Sequence, residues 1–158
     1  MPPPLLIDLT QVDLDRTCLT RRQIYERLPH AFEFQLLDGL CLLDRDRKLA
    51  VAYADIDSES WWVRGHIPGR PLLPGVLMLE MAAQSSAILA GALGGHDAFV
   101  GFGGIDRCKF RETVVPPARL YILCTSVEYR PRRVISDTQG VVDARLIFEA
   151  RITGMTLR

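Results

Sequence analysis

Three residues within one stretch have the side chains that acid–base chemistry needs: His66, Glu80 and Gln84. Imidazole changes charge nearest to neutrality, so His66 is a candidate general base. Glu80 interrupts an apolar run, VLMLEMAAQ, where an unpaired carboxylate is costly to bury and where burial favours the neutral acid, ready to donate a proton. Gln84 lies four residues on and shares Glu80's helix face, so its amide can orient the carboxyl group. Pro74 and Gly75 open the same run. The first-turn amides there, those of Gly75 and Val76, lack intrahelical acceptors and stand at the positive end of the helix dipole. With no side chain on Gly75, a substrate carbonyl can come close. Amides placed so form an oxyanion hole, and the enolate of an acyl thioester is the kind of charge it stabilises. Base, amide donors and acid thus occur in one short segment.

The elements that must position them follow from local composition. GHIPGRPLLPG, residues 65–75, carries three glycines and three prolines and reads as a stiff, shaped loop. From Pro74 the residues are good helix formers, with Gly91 as a plausible stop, which predicts one helix over about 74–91. It is apolar nearly all round and is expected inside the protein. Upstream, Asp13 to Leu28 reads as one or two short surface helices, with Thr20 as a possible N-cap. Phe32 to Leu43 and Lys48 to Ile56 read as a hairpin across the charged turn 44–47. Downstream, 96–110, 120–129 and a final alternating run around 145–153 read as strands. Repeated crossover helices are missing, which excludes a doubly wound α/β fold. The expected class is α+β: an antiparallel sheet wrapped around one central helix.

The chain has 158 residues, of which 48% are hydrophobic, enough for one substantial core; a single domain over 1–158 with a short N-terminal extension of about 1–12 is expected. Lysine plus arginine equals aspartate plus glutamate, 19 against 19, so the net field gives no steer toward nucleic acid or anionic membranes. Cys18, Cys41, Cys108 and Cys124 have no ligand-like spacing, so reduced thiols are expected, and neither a metal nor a cofactor. MPPPLLIDLT resembles no signal or transit peptide, and Glu80, Gln84 and Gly91 interrupt the longest apolar stretch, so a cytoplasmic protein without a membrane span is expected.

HIPGRPLLPGVLMLEMAAQ, residues 66–84, resembles the active-site signature of the bacterial 3-hydroxyacyl-[acyl-carrier-protein] dehydratases; histidine, glycines, prolines, glutamate and glutamine match in register. LPHAFEFQLLDG at 28–39 and GIDRCKFRETVVPP at 104–117 extend the resemblance over most of the chain. It implies a hotdog fold, homodimers that often assemble as trimers of dimers, and active sites at the dimer interface, with acyl carrier protein presenting the substrate. His66 of one chain would then face Glu80 of the other, with the Gly75 amide on the thioester carbonyl. Glutamate at 80 resembles the branch that dehydrates without isomerising. A cis peptide after His66 is also implied. The chain departs from the family at Ile67, at the pair Trp61–Trp62, and at Ala31, Glu112 and Pro117; none of these carries the chemistry.

Other residues weigh toward ordinary roles. His30 is expected to serve a turn or strand entry, and His96 a surface loop. Arg64, Arg70, Arg107, Lys109 and Arg111 flank the expected mouth; as charge clusters they are usually solvated faces, yet acyl carrier proteins are acidic and these five are candidate docking cations. Trp61, Trp62, Phe99 and Phe102 are candidates for lining an acyl tunnel. A thioesterase on the same fold and a non-catalytic acyl-binding partner subunit remain as alternative functions. Chain length, pathway and carrier are not fixed by these residues.

Overall fold

The computed structural model describes residues 1–94 and 100–157; His96 and Phe99 lie outside them. In chain order come β1 (Leu19–Thr20), the short helix α1 (Arg21–Tyr25), β2 (Gly39–Asp44), β3 (Leu49–Ile56), the long helix α2 (Gly75–Gly94), β4 (Val100–Phe110), β5 (Ala118–Arg130), β6 (Arg133–Val142) and β7 (Arg145–Thr156). The strands form one antiparallel sheet in the order β1-β2-β3-β5-β6-β7-β4. It wraps around α2, which packs against β5 above all and then against β6 and β7.

The sheet can wrap so closely because β3 turns Ala50, Ala52 and Ala54 toward the helix side, and all three are essentially inaccessible. Small side chains there let Leu77, Met78, Met81, Leu89 and the β5 residues Leu120 and Ile122 fill the space between the layers. The intervening β3 positions, Val51 and Tyr53, pack on the other face with Leu123 and Val141, and Ile7 of the N-terminal extension covers them. Gln139 of β6 fastens that extension, accepting from Leu6 N at 2.8 Å and donating to Pro4 O at 3.1 Å.

Thr20 is the N-cap of α1, within a reciprocal capping box with Gln23. Two expectations need correction, and one strand was not expected. Phe32 to Leu37 is not strand: Phe32–Phe34 is a 3₁₀ turn, entered with Phe32 at φ 52°, and pairing begins only at Gly39. Gly91 does not stop α2, which runs to Gly94, because Leu93 continues the packing on the core and Gly91 keeps a helical backbone. Strand β6 went unread because its buried positions include Ser136, Thr138 and Gln139. Each is satisfied, Ser136 by Ser86 at 2.7 Å and Thr138 by Ala150 O at 2.7 Å. Asp143 and Ala144, both at positive φ, make the tight turn into β7. Helix α2 is long and apolar enough to cross a membrane, but over half of it is buried within this protein, as befits a core helix.

Candidate active site

The loop before α2 presents His66 on the surface and grips it through backbone contacts. His66 N donates to Trp62 O at 2.8 Å, and His66 O accepts from Leu72 N at 3.0 Å. The ring contact is decisive: Nδ1 lies 2.8 Å from Leu72 O. A carbonyl only accepts, so Nδ1 carries a hydrogen, and in the neutral ring that leaves the lone pair on Nε2, the tautomer a general base at Nε2 requires. The His66–Ile67 peptide is cis.

At the start of α2, Leu77 N and Met78 N both donate to Pro74 O, while the Gly75 and Val76 amides engage no protein acceptor among the described residues. Val76 is among the most exposed apolar residues, at 71% of its free surface. A methyl group on Gly75 would meet the tip of the Phe110 ring at 2.8 Å, so with glycine the half-exposed Phe110 ring lies close over the helix start without having to shift. Two free amides at a helix N-terminus, open to solvent, can hold an oxyanion.

Glu80, one and a half turns further, is held by side chains. Gln84 is fully buried and every polar capacity is directed: Nε2 donates to Glu80 Oε1 at 2.9 Å and to Phe34 O at 2.8 Å, while Oε1 accepts from Tyr25 Oη at 2.7 Å. Tyr25 Oη in turn accepts from Leu37 N at 2.7 Å. Burial pushes the Tyr25 hydroxyl up to about 12, so it remains a neutral donor. His30 completes the group, with Nε2 at 3.1 Å from Glu80 Oε1. Glu80 is thus partly buried, about a quarter exposed, and in polar company rather than sealed in hydrocarbon. That corrects the ground for expecting a neutral acid through burial alone. Tyr25 and His30 are the residues that sequence reasoning missed. Tyr25 reads as one more apolar position of a surface helix, and its partner Gln84 is far away in sequence.

Among the described residues no polar contact joins His66 and Glu80 within the chain; each has its own partners. A cavity of about 720 Å³ lies beside the C-terminal half of α2, with Leu28, Pro29, His30, Ala87, Gly91 and Val134 in its wall; His66, Gly75 and Glu80 are not part of that wall. The aromatic candidates do not line it: Trp62 is core, while Trp61 and Phe102 face solvent. Of the candidate docking cations, Arg64, Arg70, Arg107 and Lys109 are exposed. Arg111 is not free, since its guanidinium is paired with Glu149 at 2.6 Å.

Comparisons with known proteins bear on the family and the fold. The profile of the FabA-like domain matches residues 28–151. The chain is 36% identical over 138 residues to the 3-hydroxyacyl-[acyl-carrier-protein] dehydratase FabZ of Campylobacter jejuni, covering 84% of this chain and 94% of that protein. Its identity to the enzyme of the same name from Clostridium botulinum is 33% over 135 residues, covering 82% and 93%. Among solved structures, the dehydratase heterocomplex ApeI:P from Xenorhabdus doucetiae matches with a TM-score of 0.74 at 13% identity, over 85% of this chain and 91% of that one. A hypothetical thioesterase with coenzyme A from Streptococcus pneumoniae matches with a TM-score of 0.62 at 12% identity, over 87% and 97%. At such identities the structural likeness establishes the hotdog fold and nothing finer.

Proposed function

Given that the chain belongs to the FabA-like family, we propose that it removes water from 3-hydroxyacyl thioesters of acyl carrier protein in fatty-acid synthesis, with His66 as base and Glu80 as acid. The observation that carries the assignment of roles is the pair of environments. His66 has Nδ1 committed to Leu72 O and Nε2 open, while Glu80 has Oε1 committed and Oε2 without a hydrogen bond among the described residues. His66 Nε2 takes the proton from C2 of the (3R)-hydroxyacyl group. The thioester oxygen becomes an enolate oxygen and rests on the Gly75 and Val76 amides. The enolate electrons form the C2–C3 double bond as the C3 hydroxyl leaves, taking the Glu80 proton to depart as water and leaving the trans-2-enoyl thioester. The acyl chain occupies the cavity along α2.

We assign the complete site to a homodimer located in the cytoplasm. Strand β4 ends the sheet with one side unpaired among the described residues, and Phe102, Ile105 and Phe110 on it are exposed, as are Ile67 and Val76 at the loop and helix start of the site. An open edge with apolar side chains is a surface that another chain covers. Pairing two β4 edges brings one chain's His66 loop toward the other's helix, which supplies what the single chain lacks: a base opposite its acid. The test is complementation. Chains carrying His66→Ala and chains carrying Glu80→Gln, each inactive alone, regain activity when mixed under conditions that exchange subunits, because a mixed dimer holds one intact site. Demonstrated exchange without recovery rules out the shared site.

A further inference from the structure

We propose that His30 is a positioning residue for Glu80, fixing which oxygen of the carboxyl group carries the transferable proton. The proposal rests on reading Glu80 as the acid. Oε1 receives the Gln84 Nε2–H at 2.9 Å and faces His30 Nε2 at 3.1 Å from the other element. When Glu80 carries its proton, an Oε1 that accepts N–H bonds from Gln84 and from His30 Nε2 is the carbonyl oxygen, which leaves the hydroxyl on Oε2. Oε2 makes no hydrogen bond among the described residues and stays available to the leaving group. Contacts of this kind are loose in the empty site and tighten around the substrate.

Two features separate His30 from a residue that serves only the fold. Its Nδ1 is buried with no hydrogen-bond partner among the described residues, a cost that a residue placed for stability would not carry. The ring also forms part of the wall of the cavity beside α2, and the edge-on Tyr25 ring, 6.5 Å away between centroids, holds its orientation. Tyr25 therefore steadies both neighbours of Oε1, Gln84 through a hydrogen bond and His30 through ring packing. With Gln84 alone, the carboxyl group keeps one restraint and can turn about its last side-chain bond; with both, it is pinned.

The test uses two near-isosteric replacements. Glutamine places its amide nitrogen where imidazole Nε2 sits, and asparagine places it where Nδ1 sits. In the assembled enzyme acting on a 3-hydroxyacyl-acyl carrier protein, His30→Asn is expected to lower kcat about 10- to 100-fold with KM unchanged, the size of loss that follows from misplacing a reacting group. His30→Gln is expected to restore most of that loss. In a Glu80→Gln background, His30→Asn is expected to cost nothing more, because it acts only through the carboxyl group. A parental rate in His30→Asn overturns the proposal. So does a His30→Gln enzyme as impaired as His30→Asn, which would show that the imidazole itself is required, or a further loss in the double variant. If instead Glu80→Gln alone keeps the parental rate, the reading of Glu80 as the acid fails, a result distinct from any of these.

Discussion

The two halves of the proposed site are held in opposite ways. His66 sits on an exposed loop and is fixed by its own backbone: Trp62 O, Leu72 N and Leu72 O set both the residue and its ring. Glu80 sits on the central helix and is fixed by side chains from a distant segment, Tyr25 through the buried amide of Gln84 and His30 directly. Catalytic precision can thus come from a stiff stretch of chain or from a network of packed polar groups. The first kind is proof against most single substitutions nearby, since backbone makes the contacts. The second can be broken one atom at a time.

The largest effects come from the two ends themselves. Glu80→Gln keeps the shape but cannot deliver a proton, so kcat is expected to fall about 10²- to 10⁴-fold with KM little changed. His66→Ala is expected to cost as much and also to stop exchange of the C2 proton with deuterated solvent. Measuring both exchange and dehydration sharpens the contrast. If Glu80→Gln still exchanges the C2 proton while failing to dehydrate, base and acid act separately. Dehydration at the parental rate in Glu80→Gln would make the carboxylate structural.

A smaller effect tests the network. Tyr25→Phe removes the donor to Gln84 Oε1 and the acceptor for Leu37 N, leaving two buried groups unpaired. The expected loss is about 1–3 kcal/mol of stability, seen as a lower Tm, together with a reduced kcat as Gln84 loosens. The hydroxyl also has a pH signature. It is pushed up to about 12 in the folded chain from the ordinary 10, so the stability it contributes is complete below pH 10 and is lost as pH rises toward 12. Tyr25→Phe should therefore show a shallower alkaline decline in Tm than the parent. An equal decline would mean that Tyr25 is not held as described.

The contrast also explains what was legible beforehand. The His66 loop and the α2 start are local: GHIPGRPLLPG and the helix after it state their own conformation, and the free Gly75 and Val76 amides follow from the helix start alone. The central helix was legible from its composition, and β7 from its alternation. The partners of Glu80 are not local. His30 and Tyr25 meet it only through the fold, and nothing in the run RLPHAFEF points to a contact across so many residues. Strand β6 was hidden for a related reason: it buries polar residues on both faces, Ser136 and Thr138 satisfied by Ser86 and Ala150 O, and Gln139 on the other side by the N-terminal extension.

The smallest effect belongs to the loop side, where the carrier would dock. Arg64 and Arg70 flank His66, and Arg107 and Lys109 lie on β4, the strand proposed to pair across the dimer; all four side chains are exposed in the single chain. An acidic carrier meeting such cations gains mainly in rate of encounter, and the gain is screened by salt. Each change to alanine at Arg107 or Lys109 is therefore expected to raise KM for a carrier-borne substrate about two- to fivefold at low salt and less at high salt, the range for exposed pairs. A short thioester without the carrier should be turned over with the same kcat and KM as by the parent. Arg111 is the internal control. It is paired with Glu149 and only about a fifth exposed, so Arg111→Ala should lower Tm and leave the salt dependence of KM alone. If Arg111→Ala instead behaves like Arg107→Ala, the carrier competes for the Glu149 pair and the docking surface reaches further along β4 than its exposed cations indicate.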